Sequence, residues 1–576
     1  MKMLTQSVWL ILALFIGLAS PLAQAREGVL DAIPPDVVGF AVVHNLADAS
    51  RSIDGVAKLV HAPAPDLLDL AKRMHGIQKG VNEQGDLAVV LTGIDPAPKV
   101  VVLVPMSDAA EFFSALDVKE PTTGVVEVQL SGRPALVGRK GGFAALALPT
   151  DRDVLEKFLA SSTNLTTDAP LATWLDTNKV SVVVTTNGIK QLVPKLANGI
   201  KAIQAQIRQV PGVNGSSAAD GLNLYLDLLT AAEPEVEQFG LGVRIDSAQT
   251  VDLVKRVKFT PNGKWAQWSA SAKPATEDLL AGFPAGPYAA AMGGVVPPGA
   301  MEHMMKFSVQ MMQKQPQYKL SPEQAQRYLE LSNGMTSGVH AMRMVLGVPK
   351  PEAGLYSNMS AMMTVDDSKR FMQDYENSIA NIHKFAEEAK DAAIPVSTSR
   401  PIKIGETDGL EVSIDFSSIS KLTPGGQDSQ KMLHRMMGTS DKLTVYVAPA
   451  DEHTVLMVYT SLDRMKEALE FFRSKQPGLA GDAGVTKVAA ALPPGSQVVG
   501  YFSLREFAKV VGQFAVAIPS PRAIPIPDFP DSPPIGMAVK ISPAEVEGHL
   551  VVTAETLSAI GEVVAKAHGG SPRPLQ

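Results

Sequence analysis

The chain contains no cysteine, and tryptophan occurs only four times in 576 residues. The first absence removes disulfides, thiolate nucleophiles, iron–sulfur clusters and cysteine zinc sites together. A chain of this length can stabilise its fold through its core, so disulfide staples are not required. No basic cluster alternates with aromatics and the formal net charge is -7, which argues against nucleic acid as a partner. A phosphate loop, a dinucleotide glycine fingerprint, a His-Glu-x-x-His segment, a nucleophile elbow and a calcium loop are also missing. No cofactor is indicated, and any catalytic site has to be assembled by folding from residues distant in sequence.

What is present begins with residues 1–25, which read as a secretory signal. Lys2 supplies the positive start, Val8 to Leu18 the apolar core, and Ala23 and Ala25 the small-residue cleavage site. Export without cysteine fits the periplasm or secretion, with no transmembrane segment after cleavage. With 45% of residues hydrophobic, the rest of the chain has ample material for more than one core.

Similar segments recur in the same order, and they divide the chain into a first half over 26–275 and a second over 276–570, with a flexible tail at 571–576. Ile33-Pro-Pro-Asp36 before a strand is matched by Phe283-Pro-Ala-Gly286, and again by Leu492-Pro-Pro-Gly495. Proline there fixes φ and removes a donor, which suits a strand entrance. Asn178 to Leu192 and Pro493 to Phe507 each lead from a β-branched run into an amphipathic segment. Phe239 to Val254 and Glu547 to Ile560 each read as strand then helix.

A strand, a polar cap and an amphipathic helix form the local unit. Val100 to Val104 with cap Ser107 is one case, Phe143 to Leu148 with Thr150 another, Val455 to Tyr459 with Ser461 a third, and Thr364 precedes a further helix. Short hairpin connections at Ser131-Gly132, Arg139 to Gly142, Gly405 to Gly409 and Ala448 to His453 call for antiparallel pairing. The expectation is an α+β fold of two similar tandem halves, antiparallel or mixed sheets backed by amphipathic helices. Longer helices are expected at 187–209, 299–315, 322–333 and 367–390, with a shorter one over Asp66 to His75, and Pro194 and Pro316 should kink or end theirs. Trp265 and Trp268, after Asn262-Gly263, read as part of a hairpin arm. The seven prolines between Pro519 and Pro534 read as a surface spacer.

Candidate chemistry is sparse. Ser418 and Lys421 have the serine-to-lysine spacing of penicillin-recognising enzymes without their companion motifs. His44, with Asp36 and Asp48 near it in sequence, and His549 could each join a folded site. Asp441, Asp451, Glu452 and His453 cluster at a hairpin that turn solvation explains. The methionines carry more content, because thirteen of 23 fall between Met292 and Met372. Met301, Met304, Met305, Met311 and Met312 recur at helical spacing and form a candidate face for an apolar ligand or partner. Thioethers are also soft copper(I) ligands, which makes Met301, His303 and Met305 candidate metal ligands.

Over Ile33 to Asp36, Lys99 to Phe113 and Leu492 to Phe507 the chain resembles large exported bacterial proteins of uncharacterised function. That resemblance implies an exported scaffold and supplies no catalytic residues. The expected function is an exported noncatalytic binding or structural protein of the bacterial envelope, with an envelope protein or apolar ligand as partner. The alternatives are a hydrolase with a site assembled in three dimensions and a carrier of a hydrophobic ligand or copper(I) through the methionine-rich region.

Overall fold

A computed structural model describes residues 28–567 except 63–68, 70–76, 78, 122–123, 166–168, 209–214, 277, 315–319, 351–352, 390–393, 417–437, 439–441 and 516–526. The signal segment, Ser418 and Lys421, Asp441, nearly all of the helix expected over 66–75 and much of the proline-rich run lie outside the described residues. The fold is α+β, and every strand pairing among the described residues is antiparallel. Two compact units divide the chain. The first takes the chain up to Gln206, Leu222–Gln267 and the chain from Ala544; the second takes Ile207–Gly221 and Trp268–Pro543.

The first unit contains strands β1 (Gly39–Val43), β2 (Leu87–Gly93), β3 (Lys99–Pro105), β4 (Val126–Leu130), β5 (Arg133–Lys140), β6 (Phe143–Ala147), β7 (Val180–Val184), β8 (Val236–Ile245) and β9 (Val251–Phe259). They pair in the order β4-β5-β6-β3-β2-β1-β7-β8-β9. The β-branched runs that predicted strands form them, as in Val180-Ser-Val-Val-Val184. Helices α1 (Leu46–Leu59), α2 (Ala109–Ala115), α3 (Arg152–Ala160), α4 (Ala169–Thr177), α5 (Thr186–Arg208), α6 (Gly215–Ala232) and α7 (Lys264–Ser271) connect or follow these strands.

Alternation in the strands feeds a core on each face. Phe40, Val90, Leu103 and Val183 pack with Leu155, Phe158 and Trp174 on one side, and Val104, Val128 and Leu146 pack with Phe112 and Phe113 of α2 on the other. Each of those two fully buried phenylalanines contributes about 2 kcal/mol of transfer free energy. The Lys140 ammonium donates to the carbonyls of Phe158, Leu159 and Ser161, so a strand lysine satisfies the end of α3.

The second unit contains β10 (Tyr288–Val295), β11 (Val339–Gly347), β12 (Met359–Val365), β13 (Val396–Ile404), β14 (Thr407–Asp415), β15 (Lys442–Pro449), β16 (Thr454–Tyr459), β17 (Val498–Phe502) and β18 (Ile535–Ser542). Their order is β13-β14-β15-β16-β12-β11-β10-β17-β18. Its helices are α8 (Ala300–Lys314), α9 (Pro322–Ser332), α10 (Ser368–Glu388), α11 (Leu462–Ser474), α12 (Ala483–Ala489) and α13 (Leu504–Ala515). The four long helices expected from periodicity, α5, α8, α9 and α10, are all present. Past Pro543 the chain rejoins the first unit, where β19 (Glu545–Val552) pairs along β9 and α14 (Ala554–Ala567) follows. The stretch from Ala544, assigned by sequence to the second half, thus clusters with the first unit.

Several local expectations are corrected. Trp265 and Trp268 sit on helix α7 and not on a hairpin arm, and their spacing of three, wrong for a strand face, suits one helix face. Val251 to Val254 opens β9; the chain turns back at Asp246 to Thr250, with Gln249 at φ 60°, where a helix was expected. Asp108, whose carboxylate accepts from Glu111 N–H, caps α2, while Ser107 donates to Val81 O at 3.2 Å. Asp367 likewise caps α10 in place of Thr364. Ser461 caps α11 as read from sequence. Pro194 lies inside α5 without ending it.

Candidate functional site

Helix α8 distributes Met301, Met304, Met305 and Met312, four of the five methionines singled out by sequence, over different surroundings. Met305 and Met312 pack with Val309, Leu329 and Phe385, so they tie α8 to α9 and α10. Met304 stands 61% exposed beside exposed Phe307. Met301 lines an open groove of about 530 Å³ with Glu302, Asn333, Thr336, His340 and Asp374. The side chain of Met311 lies outside the described residues. His303 places its Nδ1 2.7 Å from Gly299 O, at the start of its own helix. Because an α-helix turns about 100° per residue, His303 lies on a different side from Met301 and Met305, so those three do not converge as metal ligands. Among the described residues no group of three His, Cys, Asp or Glu side chains could hold a metal ion.

A larger methionine surface lies on the sheet of the second unit. Met292 of β10 is directly opposite Met344 of β11, and Met342 is opposite Met363 of β12. On the other flank Met292 faces Gly500 of β17, which faces Met537 of β18. A Cβ at Gly500 would come 3.2 Å from Met537 Cε, so the glycine leaves the space in which that side chain lies. Since alternate residues share a face, Ala290, Leu346, Met359, Val498, Phe502, Ile535 and Val539 complete it, and no polar side chain occurs at these paired positions. The five strands span roughly 20 Å in the hydrogen-bonding direction.

One end of this face is covered. Met363 and Met457 join the cluster formed with Phe371 and Tyr375 of α10. Across the middle it opens, with Met292, Met342 and Met537 about 40% exposed (42%, 40% and 39%). Phe507 of α13, itself exposed, lies against Phe502 with ring centroids 4.3 Å apart. The opposite face of the same strands is packed: Ala291, Arg343, Met362, Tyr501 and Ala538 are all buried. The sequence holds a signal for this face, because Met342-Arg-Met344 alternates at the strand period.

The polar candidates fall into three places. In the groove beside Met301, His340 Nε2 is 2.6 Å from Asp366 Oδ1, and both side chains are exposed. Thr336 donates its hydroxyl to Asn333 O. His44 ends β1 with Nδ1 2.9 Å from Asp86 Oδ1 and 3.9 Å from Asp176 Oδ1, so folding gives it acids other than Asp36 and Asp48. At the hairpin expected to cluster acids, Asp451 accepts from His453 N–H, and His453 Nδ1 lies 2.8 Å from Asp366 O; these are turn contacts.

His549 is enclosed between two carboxylates. It lies on β19 with no side-chain exposure, Nδ1 3.0 Å from Asp252 Oδ2 of β9 and Nε2 3.7 Å from Glu547 Oε2. Burial by itself lowers its pKa, but hydrogen bonding and charge from Asp252 and Glu547 together outweigh this and raise it. The neighbouring His549 imidazole holds Glu547 below the usual carboxylate range against the opposing effect of burial. Beside this group buried Arg256 donates to Glu545 Oε2 at 2.6 and 3.0 Å and to Gln238 at 2.9 Å, with its guanidinium 5.9 Å from the Trp174 ring. Arg244 donates to Asn178 at 3.2 Å. Gly240 and Gly242 of β8 make room for Trp174 and Asn178, which a Cβ would meet at 3.0 and 2.5 Å. A titratable group this enclosed serves to join strands; a substrate does not reach it.

No family model matches the chain, and neither a curated protein nor a solved structure is similar to it.

Proposed function

We propose that the chain is an exported, noncatalytic binding protein of the bacterial envelope, built from two copies of one α+β unit, and that the methionine face of its second sheet receives an apolar segment of a partner polypeptide. The observation that carries this reading is the open face around Met292, Met342 and Met537. Exposed contiguous apolar surface marks interaction sites, and unbranched thioethers adapt to uneven partners. A sheet face is a broad surface, which suits a polypeptide better than a small molecule, whose sites are concave.

Duplication is supported by the pairing orders. In each unit the opening strand, β1 or β10, lies between the next strand and the strand that precedes a long helix, β7 or β17. In each unit the third strand, β3 or β12, pairs with the strand leading into a capped or 3-10-initiated helix, β6 or β16. The segments aligned by sequence at Asn178 and Pro493 fall on β7 with α5 and on β17 with α13. Export rests on the signal-like residues 1–25, and no helix among the described residues is long and apolar enough to cross a membrane.

The test is a photo-crosslinking amino acid placed at Met292, Met342 or Met537 in the full chain in its native envelope. The three positions are expected to give adducts with one common polypeptide, abolished by Met344→Asp. Absence of a common adduct, or an equal adduct from exposed Leu148 of the first unit, overturns the reading.

A further inference from the structure

A second apolar surface, independent of the methionine face, lies on the first-unit parts of α5 and α6, up to Gln206 and from Leu222. Ile189 at the start of α5 is buried, but past Pro194 the same stripe leaves the core: Leu196 is 54% and Ile203 51% exposed. On α6 Tyr225 and Leu228 are exposed as well. Ile200, Leu229 and Trp265 join Tyr225 and Leu228 in lining an open groove of about 550 Å³ that has almost no polar surface.

Helix α5 contributes only positive charge to this surface, while Glu235 accepts from the backbone N–H of Trp265 at its edge. From Thr186 to Gln206 the helix carries Lys190, Lys195 and Lys201 and no acidic residue. At about 100° per residue, Lys190 and Lys201 fall on one flank of the Leu196, Ile200, Ile203 stripe and Lys195 on the other. Lys195 is paired with Asp95, and no ion pair of Lys190 or Lys201 occurs among the described contacts. Asp227 of α6 lies about 100° from Leu228 around the helix, on the flank opposite Tyr225.

An apolar stripe flanked by lysines, with a tyrosine and a tryptophan at its edge, is the pattern of a helix that lies in the plane of a bilayer interface. An apolar protein core would gain nothing from lysines on both flanks, whereas an anionic headgroup layer is complementary to them. We infer that these parts of α5 and α6 dock the protein onto an anionic lipid surface, with Leu196, Ile203, Tyr225 and Leu228 entering the headgroup boundary and Lys190 and Lys201 contacting phosphate groups.

The experiment uses the full chain without residues 1–25 and sedimentation with vesicles of phosphatidylcholine alone or with 30% phosphatidylglycerol. Binding to the anionic vesicles is expected to exceed binding to neutral ones by at least tenfold and to weaken with salt. Leu196→Gln with Ile203→Gln should lower it at least tenfold, and Lys190→Gln with Lys201→Gln about fivefold for each cation removed. All four sites are exposed or flank an exposed stripe, so circular dichroism and the thermal midpoint should stay unchanged and separate lost docking from lost folding. No binding to anionic vesicles, equal binding to both vesicle types, or binding indifferent to both variants overturns the inference. So does a dimer in solution that Leu196→Gln dissociates, since the surface would then belong to a second copy of the chain.

Discussion

Follow one row of paired residues across each sheet and the two units answer the same geometry with different side chains. In the first unit the row runs Val102, Val89, Ala41, Val182, Leu241, and in the second Ala361, Met344, Met292, Gly500, Met537. Both rows are partly open, with Val182 43% and Leu241 47% exposed against 42% for Met292. Valine is a strong strand former with a stiff χ1, and methionine has neither property. Strand formation therefore does not explain the second row. What methionine adds is a side chain free to change shape at little cost, and that difference is what the proposed partner site rests on.

The largest effect expected in testing this comparison lies on the other face of the first unit. Arg256→Ala removes the buried guanidinium from its part-buried contacts with Glu545 and Gln238, and urea unfolding should show a loss of about 3 kcal/mol. No such network occurs among the described contacts of β18, the strand that stands in the second unit where β8 stands in the first, so Lys540→Ala there should fall within about 0.5 kcal/mol.

Next come the two faces of the methionine sheet. Met362→Ala, in the buried face, should cost about 3 kcal/mol. Importing the first unit's chemistry with Met292→Val and Met344→Val should change stability by less than about 1 kcal/mol, while weakening crosslinking at Met342 at least tenfold. If the valine pair leaves the adduct intact, adaptability is not what the methionines provide.

The smallest effect is the pH dependence of the first unit. His549 has a folded pKa above its unfolded value near 6.5. Its contribution is therefore fully present below that value and is lost as pH rises through the folded pKa. Glu547, lowered in the folded state, contributes above the ordinary carboxylate value and loses that contribution as pH falls through its depressed pKa. His549→Gln should flatten the upper window, read by thermal midpoints between pH 5 and 9, without altering a second-unit variant such as Met362→Ala.

Much of the secondary structure was legible because it is local. Periodicity located α5, α8, α9 and α10, and the turn residues at Ser131-Gly132 and Gly405 located two hairpins. The cap of α2 was misplaced by one residue because Ser107 and Asp108 are both good caps, and Ser107 is held instead by Val81 O, distant in sequence. Helix α7 was missed because Asn262-Gly263 is also a strong hairpin signal. The methionine surface was partly legible: its residues were counted, but only sheet register brings Met537 within reach of Met292, 245 positions earlier by number and two strands away. The partners of His549 and Arg256 were not legible, since no local pattern announces that β19 pairs with β9.

That last pairing also sets a timetable. Arg256 and Glu545 are 289 residues apart, and at 5–20 residues per second a nascent chain presents the second roughly 15–60 s after the first. Until then β9 is a free edge with a row of unpaired backbone groups and an arginine lacking its carboxylate, the condition that invites adhesion to other chains. The unit begun first is thus the one finished last, and a chain cut short before Ala544 leaves it permanently unsealed.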